Sequence, residues 1–519
     1  MEVLTIMLVL VLSLFCCFWW RSATLGGKKN LPPGPPGWPI VGNLGQVILQ
    51  KRQFIFVVRD LRAKYGPIFT LKMGQRTLIV VTSSDLIHEA LVQKGAIFAT
   101  RPPHSPIRLL FSAEKCEMNS ANYGPFWQSL RRNFVSELMN PTRIRQCSWI
   151  RKWASEEHLK RVESENSQHG FVEVMSNCRF TICKILICLC FGAKISKEKI
   201  KNIERILEDV ALLTMPKLVY FMPVLLPLFR HQMGAAKELR RKQKECLVPL
   251  IRARRAFLDS HMKNPSIDQH DHKPDGLEMV SPAGAAYIDS LFSLNPDGRG
   301  LFSEEELVTL VSEVITAGTD TSATTVEWGM FHLVTNQEIQ EKVYQEIVSK
   351  VGVDGVVQEN DIEDMVYLTA FVKETFRCHP PTHFTLSHAA TRPTELDGYT
   401  IPSDVNVEFY TAWVTEDPEL WDAPQEFRPE RFLNGGDGAD VDVTGKIGAL
   451  KMLPFGAGRR ICPAWSLGTL HVKMLIASMV HAFKWLPDPG NPPDPSETMA
   501  LTVVMKNPLK ATILARHKT

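Results

Sequence analysis

The chain reads as a mainly α-helical protein with a small β-region, preceded by a single N-terminal transmembrane helix. Three observations predict this. Val3 to Trp20 is an uncharged apolar run of 18 residues, long enough to cross a bilayer as a helix. Helical periodicity dominates most of the remaining chain. The clearest exception is the pair Pro67–Met73 and Arg76–Val81, two β-rich runs separated by Gly74-Gln75, which predicts a hairpin. The chain has 519 residues, 45% of them hydrophobic and 22% charged, enough for a sizeable core. No linker is evident between residues 127 and 464. We therefore expect an anchor at 1–21, a basic and proline-rich linker at 22–45, and one large domain at 46–519.

Glu2 precedes the apolar run and Arg21, Lys28 and Lys29 follow it, which leaves the bulk of the chain on the cytosolic side. The rival is a cleaved signal peptide. That would want a basic start and small residues at its end, whereas this run ends Cys16-Cys17-Phe18-Trp19-Trp20. Leu31 to Pro39 carries enough proline to act as a stiff spacer. Lys263 to Gly284 and Asn434 to Lys446 read as polar loops. The stretch Leu218–Phe229 is apolar but broken by Pro223 and Pro227, so it is either core or a segment that dips into lipid beside a substrate entrance. A net charge of +3 argues against nucleic acid as a partner. The 11 cysteines are odd in number and none forms a Cys-x-x-Cys pair, which suits a reducing compartment. Cys183, Cys188 and Cys190 sit in an apolar run as small hydrophobes.

Chemistry concentrates in Pro454-Phe455-Gly456-Ala457-Gly458-Arg459-Arg460-Ile461-Cys462-Pro463-Ala464. A surface turn with a buried free cysteine is the plain reading of a short Gly-x-Arg-x-Cys. The longer pattern points to a thiolate offered to haem iron. Backbone N–H groups near Gly456 and Gly458, the N-terminus of the next helix and Arg460 are expected to stabilise the negative sulfur. A proximal thiolate favours O–O cleavage, so the ligand implies oxygen activation. The third glycine and preceding strand of a dinucleotide loop are missing.

Ser303-Glu304-Glu305-Glu306 predicts a capping box that opens a long helix running to about Val334. Its middle reads Ala317-Gly318-Thr319-Asp320-Thr321-Ser322. Such a run either kinks the helix through threonine back-bonding or presents an acid and a hydroxyl to a reaction centre. Glu374 and Arg377 share a helix face at i,i+3. Trp127 and Arg131 lie one turn apart.

These elements, in this order, resemble the cytochrome P450 superfamily. Phe455, Gly458, Arg460 and Cys462 match its haem-binding signature, with Ala464 where the signature has glycine. Gly318, Asp320 and Thr321 match its oxygen-activation motif, Glu374 and Arg377 its Glu-x-x-Arg element, Arg431 the third member of that triad, and Trp127 with Arg131 its Trp-x-x-x-Arg element. The resemblance covers Leu31 to Lys510. It implies the cytochrome P450 fold and haem b, with Cys462 as metal ligand and Phe455, Gly458, Arg460, Trp127 and Arg131 around the cofactor. Gly318 would leave room for O₂, Asp320 and Thr321 would deliver protons, and Glu374, Arg377 and Arg431 would form a structural triad.

Further stretches, such as Leu189–Ser196, His383–Ala390 and Leu501–Asn507, resemble the plant A-type microsomal subfamily that hydroxylates or epoxidises C16–C18 fatty acids within the chain for cutin. The implied function is monooxygenation at the endoplasmic reticulum membrane, with the catalytic domain facing the cytosol. Electrons would come from NADPH through a separate reductase, with cytochrome b5 as a further candidate donor. The reductase is expected on a proximal patch gathering Arg131, Arg132, Arg459 and Lys473. The alternative substrate is a phenylpropanoid or other plant secondary metabolite, for which Thr382 and Thr385 supply hydroxyls. Arg108 would pair with a substrate carboxylate or with a haem propionate. A haem-thiolate isomerase or dehydratase, and a non-catalytic haem or lipid binder, are the rivals from other classes; neither has a use for Asp320 and Thr321.

Overall fold

A computed structural model describes residues 30–263, 277–445 and 450–517, together with residue 13. The expected anchor, residue 13 apart, and the first part of the linker lie outside the described residues. The rest of the linker is no free spacer. The Pro33 carbonyl accepts from Thr70 N–H at 2.8 Å, and the buried Asn43 accepts from Lys72 N–H at 2.8 Å while donating to the Pro35 carbonyl.

Helix α1 (Phe54–Tyr65) leads into β1 (Ile68–Met73) and β2 (Arg76–Val81), the expected antiparallel hairpin. Sequence reading missed the third strand of that sheet, Asn406–Phe409, which lies parallel to β2 from more than 300 residues away. The main body packs α2 (Pro125–Glu137), α3 (Ser148–His169), α4 (Val174–Phe191), α5 (Lys197–Thr214), α6 (Arg230–Lys263), α7 (Glu304–Thr335), α8 (Gln337–Val351), α9 (Val366–Cys378) and α10 (Trp465–Ala482). Helix α7 starts as its sequence dictates. Ser303 Oγ accepts from Glu306 N–H, and the Glu306 carboxylate accepts from Ser303 N–H at 2.8 Å.

Helix α4 has the length and mean hydropathy, 1.6 over 18 residues, of a membrane span, yet 83% of that window is buried in the protein. It is a core helix packed on α7, and Cys183, Cys188 and Cys190 are buried in it as expected. All nine described cysteines are free. The polar loop after α6 is partly structured, since Leu277–Met279 pairs antiparallel with Ala193–Ile195. The Leu218–Phe229 stretch divides between its two readings. Val219 is buried, Met222 is buried against the hairpin, and Gln75 N–H donates to the Phe221 carbonyl at 2.8 Å, whereas Val224 and Leu228 are exposed.

Candidate active site

Cys462 sits in the loop just before α10, with its N–H donating to the Phe455 carbonyl at 2.9 Å. The loop owes its course to Gly458, whose φ is +69° and where a Cβ would lie 1.8 Å from the Leu91 carbonyl oxygen. No other residue fits there. Burial pushes the Cys462 thiol up, while the Ala464 N–H and the Arg131 guanidinium pull it down. Arg131 also donates to the Ile461 carbonyl at 2.7 Å. Arg460 does not take the sulfur-stabilising role expected of it. Its guanidinium donates to the carbonyls of Ala99, Met118 and Ala121 at 2.5 to 2.8 Å and lies over the Trp127 ring, because that pocket offers three converging backbone acceptors. Trp127 gives its indole N–H to the Met118 carbonyl at 3.1 Å.

Sequence reading also missed Arg101. Its guanidinium is buried, donating to the carbonyls of Asn119, Leu386 and Ser387. Burial, then repulsion from Arg101 and Arg131, brings Arg460 down to about 9. Arg460 is repelled by both Arg101 and Arg131, and Arg131 acts on the cysteine, so the cluster calls for anionic groups to neutralise it. On α7, Ala317 is exposed in the middle of an otherwise mostly buried helix. A flat, metal-bearing dianion fits this donor set: Cys462 would hold the metal, and Arg101, Arg131 and Arg460 would face its carboxylates.

Thr321 Oγ1 donates back to the Ala317 carbonyl at 2.7 Å, as the back-bonding reading expects. Asp320 turns toward α4, where Arg179 meets it at 3.0 Å and also meets Glu208 at 2.7 Å. Burial holds the Asp320 carboxyl above its ordinary range while Arg179 opposes the rise. Gly318 has a packing job that sequence reading did not give it. A Cβ there would lie 2.8 Å from Leu186 Cδ1 on α4, so its smallness serves close helix packing. We expect Gly318→Val to lower stability by about 1–3 kcal/mol through overpacking, read as a drop in melting temperature with ligand spectra unchanged. A glycine kept for oxygen would show the reverse.

The structural triad is assembled. Glu374 takes Arg377 at 2.7 and 2.8 Å, Arg431 Nε at 3.0 Å and the Arg428 N–H at 2.8 Å. Asp437 joins through Arg431 at 3.1 Å, a member that sequence spacing did not reveal. Arg108 pairs instead with Glu117 at 2.6 Å, within its own segment, so its charge is met without a substrate carboxylate or a propionate. Of the four cations expected to gather on the proximal side, only Arg132 and Arg459 are exposed. Lys473 donates to Thr369 Oγ1 at 2.6 Å inside the fold, and Arg131 is turned to the cysteine loop.

The profile of the cytochrome P450 family matches residues 32–514. The chain belongs to the cytochrome P450 family. Among relatives of this P450, cytochrome P450 89A9 of Arabidopsis thaliana is 34% identical over the full length of both chains. The flavonoid 3'-monooxygenase of the same plant is 31% identical, covering 93% of this chain and 90% of its own. Tryptamine 5-hydroxylase of Oryza sativa subsp. japonica is 30% identical, covering 94% and 91%. A zebrafish cytochrome P450 solved with progesterone superposes with a TM-score of 0.70 at 21% identity, covering 90% of this chain and 100% of that one, which shows the P450 fold. This P450 is thus a plant-type haem-thiolate monooxygenase, supplied with NADPH electrons by a reductase. Haem, when bound, supplies the activation of O₂.

Proposed function

We propose that this P450 hydroxylates or epoxidises C16–C18 fatty acids within the chain, taking them from the endoplasmic reticulum membrane to which residues 1–21 anchor it once, with the catalytic domain in the cytosol. The observation that carries the membrane part is a set of exposed apolar side chains, Trp38, Ile40, Ile48, Leu49, Val224 and Leu228, on segments adjoining the hairpin. Such a surface is costly in water and suits a lipid face. With Arg108 satisfied by Glu117, a fatty acid carboxylate finds no grip at that position, which favours attack along the chain. Leu386 and Met499, both exposed, supply greasy surface for such a chain.

A second reading, a phenylpropanoid or other aromatic substrate, draws on two groups. Thr385 Oγ1 and His383 Nδ1 are buried without a hydrogen-bond partner, and would welcome a polar substituent. Two of the relatives carry names of aromatic hydroxylases. Microsomes holding the protein and a plant reductase, fed NADPH with either C16–C18 acids or a phenylpropanoid panel, decide the matter by mass spectrometry of products. In-chain hydroxy or epoxy acids uphold the first reading; untouched fatty acids beside an oxidised aromatic discard it.

In this reading Cys462 holds the iron, Phe455 and Gly458 shape its loop, and Trp127, Arg131 and Arg460 line the cofactor. Asp320 and Thr321 pass protons, Asp320 from the side held by Arg179 and Thr321 from its hydroxyl on α7. We expect the Asp320→Ala, Thr321→Ala double variant to keep its haem while product per NADPH falls at least tenfold and peroxide rises. Unchanged coupling would remove the pair from the mechanism and reopen the isomerase and simple binding readings. The reductase, and cytochrome b5 as a second donor, would dock where Arg132 and Arg459 are exposed. Reversing both charges should weaken reductase-dependent turnover most at low salt; a salt dependence left unchanged would rule that surface out.

A further inference from the structure

A cleft of about 390 Å³ is bounded by α3, α4 and the start of α5. None of its lining residues belongs to the site described above. Lys160, Arg161, Lys184 and Lys197 line it against a single carboxylate, Glu157, while Trp153, Phe180, Ile195 and Ile200 supply apolar wall. Lys184 is nearly fully buried, meets Glu157 at 2.7 Å, and lies 4.5 Å from the Trp153 ring centre, as does Lys194. Arg161 lies 4.2 Å from the Phe180 ring centre and donates to Asn177 Oδ1 at 2.6 Å. With Glu157 taken by Lys184, the cleft keeps a surplus of positive charge.

His158 is 1% exposed and also lines the cleft. Its Nδ1 lies 2.8 Å from Thr181 Oγ1, and that hydroxyl spends its one proton on the Asn177 carbonyl at 3.0 Å. Thr181 Oγ1 must therefore accept, so the imidazole proton is on Nδ1 and Nε2 is a bare acceptor. That Nε2 is buried with no partner. Burial and the neighbouring Arg161 and Lys184 hold the imidazole down to about 3, so it stays neutral at working pH. Leaving such an acceptor unmet is costly.

From the cationic lining and the orphan acceptor together, we propose that this cleft is a second binding site, separate from the haem site, for a small organic anion that also carries a hydroxyl. The carboxylate or phosphate lies against Lys197 and Lys160, the hydroxyl donates to His158 Nε2, and the carbon body rests on Phe180, Ile195 and Ile200. Carboxylate and phosphate carriers share this chemistry, and separate probes tell them apart.

The test is calorimetric titration of the full-length holoprotein with 4-hydroxybenzoate, and in parallel with glycerol 3-phosphate, following the haem Soret band. We expect saturable binding of at least one probe with the Soret band unmoved. Binding of 4-hydroxybenzoate should weaken at least tenfold in 4-methoxybenzoate, which lacks the donor, and in 4-hydroxybenzamide, which lacks the charge. Lys160→Glu with Lys197→Glu, both at the exposed mouth, should abolish it without touching the fold, and His158→Leu should erase the preference for hydroxy over methoxy. The proposal is overturned if neither probe binds at millimolar concentration, if hydroxy and methoxy probes bind alike, or if binding moves the Soret band and survives the lysine reversals. The first of these outcomes would leave the His158 acceptor to an internal water alone.

Discussion

Glu374→Ala should yield little folded, haem-loaded protein. Its carboxylate is fully buried and serves Arg377, Arg431 and the Arg428 N–H at once. Removing it leaves the Arg377 guanidinium, 1% exposed, with no carboxylate paired to it, and the Arg431 guanidinium, 0% exposed, with Asp437 alone. Breaking a buried pair in this way costs about 3–5 kcal/mol, against a total stability of about 5–15 kcal/mol for a typical domain. The remaining carbonyl partners of Arg377, at Thr415, Pro424 and Glu426, neutralise nothing. Glu374→Gln should fall between, because an amide oxygen keeps one acceptor. The comparison that makes the point is Glu137→Gln, which breaks the partly exposed pair with Arg143 and should cost about 1 kcal/mol or less. Thermal melts and haem content of the three variants check this. An alanine variant that melts with the parent would show that the triad is not what supports the cysteine loop.

Cys462→Ser should keep the fold and lose the chemistry. Its N–H bond to the Phe455 carbonyl is a backbone contact that serine retains, so the loop stays in place. Serine cannot supply a soft anionic donor at neutral pH, and the electron push toward O–O cleavage goes with the thiolate. We expect turnover to fall at least a thousandfold, about 4 kcal/mol of barrier, and the carbon monoxide difference spectrum of the reduced protein to lose its thiolate form. The other cysteines offer no substitute. Cys178, Cys183 and Cys190 are buried in α4 with thiols pushed far up by desolvation. A thiolate-type spectrum in the serine variant would mean that Cys462 is not the ligand.

Much of this protein was legible from residue order, because its signals are local. The Ser303–Glu306 capping box, the hairpin around Gly74, the turn at Gly458 and the cysteine ahead of α10 each depend on neighbours a few residues away. The haem-binding loop and the family came from them by resemblance. What the chain order could not convey is which distant groups would meet. Arg460 bonds carbonyls some 340 to 360 residues away, Asp320 is held by Arg179 on α4, Arg108 is already claimed by Glu117, and Gly318 packs closely on Leu186. Lys473 is long and cationic, yet it turns inward. Helix α4 and the N-terminal run look alike by hydropathy, and burial against α7 made α4 a core element. Local signals are written by short-range sterics and backbone hydrogen bonding, whereas partner choice among buried charges and the room left at a helix crossing arise only when separate elements pack together.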